Sequence, residues 1–197
     1  MTIINYFTDK VRLYSGVPGK CKHTFLGEVE ARNKEQVLFK ELLEKLLKDD
    51  FWSISVLGTV GNGKTTLSCS AVNTWNNEHY FYEEPAYYIT QSDLVMEYKD
   101  TFTGKGSEAQ VFNKYARKAR LLVIDELNPK DWSEYNKGII QKILLERYAN
   151  ERKTVLIGNL ESKDFKAMFD PHIISRLREG ETIYMVQPDM RIKGVKK

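Results

Sequence analysis

Residues Gly58-Thr-Val-Gly61-Asn62-Gly63-Lys64-Thr65 spell G-x-x-x-x-G-K-[ST] in full. They stand between an apolar run, Ser53-Ile-Ser-Val-Leu57, and a stretch of helical character, Thr66-Leu-Ser-Cys-Ser-Ala-Val-Asn-Thr-Trp75. Strand, glycine-rich turn and helix in that order are the context in which the pattern binds phosphate. Glycines let the backbone curl so that its N–H groups point at phosphate oxygens, and the positive end of the helix reinforces them. Lys64 brings a point charge to the β and γ phosphates, which places it among the catalytic candidates, and Thr65 offers a hydroxyl ligand to Mg²⁺. Gly58, Gly61, Asn62, Gly63, Lys64, Thr65 and Thr66 are the expected contacts of a nucleotide. A chance glycine-rich turn is the competing reading, and with only 12 glycines in the chain it is the weaker one.

Composition sets the bounds. A chain of 197 residues with 42% hydrophobic content can bury one good core and little more. Its net charge of +3 excludes binding to nucleic acid through overall charge, so any DNA contact depends on local placement. No apolar run approaches the roughly 18 residues of a membrane span, and the N-terminus lacks the apolar centre of a secretory signal. Cys21 and Cys69 lie far apart in sequence, which suits a reducing cytoplasm with Cys69 as an ordinary buried thiol. Cys21 and His23 would fill two corners of a metal site, with no matching second pair. A soluble cytoplasmic protein without a membrane partner is expected.

Residues 1–32 mix Gly16, Pro18, Gly19 and Gly27 with scattered charge and show no sustained period, as expected of an irregular N-terminal arm ahead of a domain over 33–197. A helix follows, with Asn33 and Gln36 as a capping box and Val37, Leu38, Leu42, Leu46 and Leu47 as its core stripe. Strand-like runs recur at 53–57, 86–90, 121–124, 154–157 and 182–186, with helical patterns between them. That alternation implies an α/β fold with a parallel sheet covered on both faces. Residues 103–108 read as an exposed loop.

The run Leu121-Leu-Val-Ile124 delivers Asp125-Glu126 to the C-terminal edge of a strand, where open α/β sheets bind ligands. Asp125 is placed to share Mg²⁺ with Thr65, and Glu126 to orient and deprotonate an attacking water. A solvated turn is the bland alternative for such a pair. The next strand ends in Gly158-Asn159, where an amide can donate to the γ-phosphate or the water; in isolation Asn159 would be a turn or cap residue. Farther on, Arg176 and Arg178 share one short helix, as an arginine finger or as surface cations near a helix C-terminus.

Together these elements resemble the AAA+ ATPases, specifically the replicative helicase loaders of the DnaC type and their transposition relatives of the IstB type. The resemblance runs from about Cys21 to Arg191. It rests on the phosphate loop continuing into Thr66-Leu67, on Leu-Leu-Val-Ile-Asp-Glu, and on Ser175-Arg176-Leu-Arg178 followed by a strand and Asp189-Met-Arg191. It implies a P-loop AAA+ core of five parallel strands in the order 5-1-4-3-2, without a C-terminal lid domain. It implies ATP and Mg²⁺ as ligands, and Arg176 as a finger reaching the site of a neighbouring subunit in a homo-oligomer. It further implies a single-stranded DNA element of which Lys99-Asp-Thr-Phe102 and Ser133-Glu-Tyr135 are the parts, Phe102 and Tyr135 stacking on bases and Ser133 reaching a phosphate. Lys105, Lys114, Arg117, Lys118 and Arg120 would add phosphate contacts. A replicative helicase is the implied partner.

This chain departs from the family pattern at Asn128, where Gly is usual, and at Gly158, where Ser or Thr is common. The arm is also far shorter than the helicase-binding domain of the loaders. Three other functions compete with loading: an IstB-like transposition ATPase acting on duplex DNA, a small-molecule P-loop kinase, and a nucleotide-gated binding module with little turnover.

Overall fold

The computed structural model describes residues 15–79 and 84–187. Helix α1 (Lys34–Leu47) leads into β1 (Ser53–Gly58), and α2 (Lys64–Glu78) into β2 (Ala86–Thr90). Next come α3 (Gln91–Asp100), the short α4 (Glu108–Phe112) continued by a π-helical turn (Asn113–Lys118), and β3 (Leu121–Leu127). Then α5 (Glu134–Ala149), β4 (Lys153–Gly158), α6 (Ser162–Met168), α7 (Pro171–Leu177) and β5 (Glu181–Met185) complete the described chain. The sheet is parallel in the order β2-β3-β4-β1-β5, the expected 5-1-4-3-2 read from the other edge.

Strand residues alternate between two cores because successive side chains leave opposite faces of a sheet. Ile54, Val56, Leu121, Val123, Val155 and Ile157 pack with Phe39, Leu43, Leu67 and Val72 of α1 and α2. Leu57, Leu122, Ile124 and Leu156 pack with Leu94, Ile140, Ile143 and Ile173 of α3, α5 and α7. Burial on both faces explains why the strands read as continuous apolar runs.

Helix α1 corrects one expectation. Its buried face is Gln36, Phe39, Leu42, Leu43 and Leu46, whereas Val37 and Leu38 are 44% and 47% exposed. Asn33 does cap the helix, its side chain accepting from the Gln36 amide at 2.9 Å. The Gln36 side chain goes elsewhere, accepting from the Arg32 amide at 2.8 Å and donating to the Asn62 carbonyl at 2.9 Å.

The described part of the arm, 15–32, contains only two 3-10 turns, yet it buries Val17, Cys21 and Leu26 in the core shared by α1 and α2. Asn73 of α2 donates to the carbonyls of Cys21 (2.7 Å) and Thr24 (2.9 Å), and the Leu26 amide donates to Thr74 Oγ1 at 2.9 Å. Side chains of α2 thus replace the regular hydrogen bonding that this segment lacks. Among the described residues, no helix is long and apolar enough to cross a membrane. The expected Asp189-Met-Arg191 motif and residues 1–14 of the arm lie outside the described residues.

Candidate active site

The phosphate loop spans the turn between β1 and α2. Gly58 has φ +128°, and a Cβ there would stand 2.1 Å from the Met185 carbonyl oxygen, so only glycine allows β5 to approach so closely. That carbonyl accepts from the Thr59 amide at 2.9 Å and from the Asn62 side chain, tying the loop to β5. Asn62 is thereby buried and acts as a brace within the loop. Lys64 Nζ donates to the Thr59 carbonyl and to Asn62 Oδ1 (3.1 Å), which folds the ammonium back over the loop.

Thr65 Oγ1 donates to Asp125 Oδ2 at 2.7 Å, joining the first turn of α2 to the end of β3. The Thr65 oxygen keeps its lone pairs, so an all-oxygen pair of hydroxyl and carboxylate faces the loop. This is the donor set that suits Mg²⁺, which takes few protein ligands and shares the rest of its shell with phosphates and water. Asp125 also receives two contacts that sequence reading missed or left unspecified. Tyr88 OH donates to Oδ2 at 2.9 Å, and the Glu126 amide donates to Oδ1 at 2.6 Å.

Glu126 is a non-glycine residue with φ +58°, at a point where the β3–β4 register shifts between Ile124 and Leu127. The bulge breaks the alternation of the strand and turns this exposed carboxylate outward while Asp125 stays buried. Left-handed backbone at such a residue carries strain of about 1–2 kcal/mol, which the Glu126 N–H bond to Asp125 helps to hold.

Loop, Asp125, Glu126 and Asn159 line one cleft of about 680 Å³. Lys20, Cys21 and Arg32 line it too. Sequence reading missed all three in this role, because only the docking of the arm on α2 brings them there. Cys21 and Cys69 meet beneath the cleft as free thiols. Contact with Cys69, aided by Lys20 and Thr66 against the effect of burial, lowers the Cys21 thiol from its ordinary value. Both departures from the family pattern have local reasons. A Cβ on Gly158 would meet Leu160 Cδ2 at 2.2 Å, so Leu160 occupies that space. Asn128 caps the 3-10 turn Pro129–Asp131, accepting from the Lys130 amide at 3.1 Å.

The remaining candidates lie outside this cleft. Arg176 donates to the His172 carbonyl at 2.8 Å and lies 5.2 Å from the Tyr148 ring centre. Phe102 and Tyr135 come together from two separate segments, their ring centres 6.3 Å apart, and both are exposed, at 69% and 43%. Ser133 caps α5, accepting from the Asn136 amide at 3.2 Å. Several expected phosphate contacts already hold carboxylates: Lys105 with Asp100 (3.8 Å), Lys114 with Glu97 (3.5 Å), Arg117 with Glu146 (2.7 Å) and Arg120 with Asp49 (2.8 Å).

No family model matches the chain. The replicative helicase loader DnaC of Escherichia coli K12 is 29% identical over 130 residues, 66% of this chain and 51% of that protein. A crystal structure of the DnaC helicase loader superposes with a TM-score of 0.70 at 18% identity, covering 85% of this chain and 99% of that one. The chain shares the fold of that loader structure, a five-stranded parallel sheet flanked by helices. The replication initiator DnaA bound to AMPPCP and single-stranded DNA shares it, with a TM-score of 0.71 at 19% identity over 87% of this chain and 51% of that one. The chain spans about half the length of the DnaC relative it matches. The phosphate loop and the Asp125-Glu126 bulge stand on adjoining edges of one cleft.

Proposed function

We propose that the chain is an ATPase of the helicase-loader type, which hydrolyses ATP with Mg²⁺ at a site completed by a second copy, binds single-stranded DNA and helps to place a replicative helicase. The observation that carries this reading is the Thr65–Asp125 hydrogen bond at 2.7 Å, in a cleft that Glu126 and Asn159 also line. The loop amides and Lys64 hold the phosphates of ATP. Thr65 and Asp125 would hold Mg²⁺, which supplies positive charge against the phosphate oxygens. The Glu126 carboxylate, turned outward by the bulge, takes the proton of the attacking water. Asn159 donates to the γ-phosphate or to that water. Arg176 lies away from the cleft of its own chain, as a finger serving a neighbour's γ-phosphate would. The exposed Phe102–Tyr135 pair offers two faces for base stacking, and the Ser133 hydroxyl, two residues before Tyr135, reaches a phosphate.

The test is ATP turnover across a protein-concentration series, at one salt concentration, with no DNA, with single-stranded DNA and with duplex. Steeper-than-linear turnover that responds mainly to single strands is expected. A response confined to duplex would favour a transposition ATPase. Turnover linear in protein and blind to both DNAs would remove the shared site and the DNA role.

A further inference from the structure

Tyr88 is a buried phenol on the edge strand β2, and its hydroxyl donates to Asp125 Oδ2 at 2.9 Å. Asp125 pairs in register with Thr90, two residues beyond Tyr88, so the ring leans along its strand toward the catalytic edge. Three donors fix the carboxylate: Thr65 and Tyr88 on one oxygen, the Glu126 amide on the other. Thr65 belongs to the phosphate loop and the Glu126 amide to the strained bulge. Among the described residues, Tyr88 is the donor that reaches Asp125 from outside the phosphate loop and the bulge.

The main chain of Tyr88 is itself clamped. Its amide donates to the Ser15 carbonyl at 2.8 Å, and at Gly16, φ +77°, a Cβ would stand 2.0 Å from the Tyr88 carbonyl oxygen. The arm therefore closes over the free edge of β2 at the residue whose side chain reaches the site.

We propose that Tyr88 is a positioning residue for metal binding: its hydroxyl holds the Asp125 carboxylate in the orientation that takes Mg²⁺ with bound nucleotide. The inference rests on the Mg²⁺–nucleotide reading of the cleft. Tyr88→Phe keeps the ring and removes only the donor, and a partner of a metal-holding group is typically worth 10–100-fold in metal affinity or activity.

The experiment titrates Mg²⁺ against binding of a fluorescent ATP analogue to the full chain, for wild type, Tyr88→Phe, Asp125→Asn and the double variant, with each also measured in EDTA. The half-saturating Mg²⁺ concentration should rise about tenfold in Tyr88→Phe, while affinity in EDTA stays within about twofold. In the Asp125→Asn background, Tyr88→Phe should have no further effect, because it acts through that carboxylate. A Tyr88→Phe midpoint within about twofold of a Mg²⁺-dependent wild type would overturn the inference and leave the site reading standing. So would an equal loss of affinity in EDTA, or an effect that adds fully to Asp125→Asn. A wild type that binds nucleotide without regard to Mg²⁺ would overturn the site reading, and the inference with it.

Discussion

The two edges of the same parallel sheet use polar groups in opposite ways. At the N-terminal edge, charges close on each other. Asp49, just after α1, bridges Lys153 at 2.6 Å and Arg120 at 2.8 Å. Arg147 is fully buried, and its hydrogen bonds go to the Thr154 hydroxyl and to the carbonyls of Tyr115, Ala119, Arg120 and Lys153. It ties the π-helical turn, the entry to β3 and the entry to β4 into one knot. At the C-terminal edge, Lys64 donates to the Thr59 carbonyl and to Asn62 Oδ1 of its own loop, Asp125 accepts from a few donors, and Glu126 is presented on strained backbone to an open cleft. One edge turns its charged side chains on each other and on backbone carbonyls, and the other presents them to an open cleft. Stability is invested at the first and function at the second.

The largest expected break is at Arg147. Arg147→Met should cost about 3 kcal/mol in urea unfolding, because several buried carbonyls lose a donor that water cannot replace. Nucleotide affinity below the unfolding transition should stay near that of wild type. A loss under about 1 kcal/mol would mean that the knot is not what holds that edge together. A smaller effect of opposite sign is expected at the other edge. Glu126→Gly should raise stability by about 1 kcal/mol by relieving the left-handed residue, with turnover abolished; lower stability would show that the bulge is held by the Glu126 side chain instead.

The smallest effect is at Asp49, which is 55% exposed. Burial opposes its charge, but Lys153 and Arg120 outweigh burial and hold its pKa below the ordinary carboxylate value. A lowered folded pKa means that the stabilisation is fully present above the unfolded value of about 3.9 and is lost as pH falls through the folded one. Asp49→Asn, which suits the φ of +69° at that position, should therefore be less stable than wild type at pH 7. The gap should narrow as pH falls below about 4, as read from unfolding midpoints across pH. A gap that does not narrow as pH falls below about 4 would assign the difference to something other than ionisation.

This contrast explains what was legible in the sequence. The phosphate loop and the Asp125-Glu126 strand carry their own local grammar, and the strands repeat as apolar runs because both faces are buried. Helix α1 was harder: apolar residues at 37, 38, 39, 42, 43, 46 and 47 cover more than one face, and periodicity alone does not choose Phe39 and Leu43 over Val37 and Leu38. Arg147 reads as a surface cation near a helix end, because its acceptors come from segments that only the fold assembles. Tyr88, Lys20 and Arg32 belong to the site through strand order and arm docking, which no local pattern encodes. Phe102 and Tyr135 were named through family resemblance, and their adjacency is tertiary.

The most direct measurement compares ATP binding and phosphate release for wild type and Glu126→Gln at saturating Mg²⁺. With Glu126 as the base, the variant should bind ATP within about threefold of wild type and release phosphate at least about a hundredfold more slowly. Release at the wild-type rate, with binding intact, would contradict the assignment of the outward-turned carboxylate to catalysis.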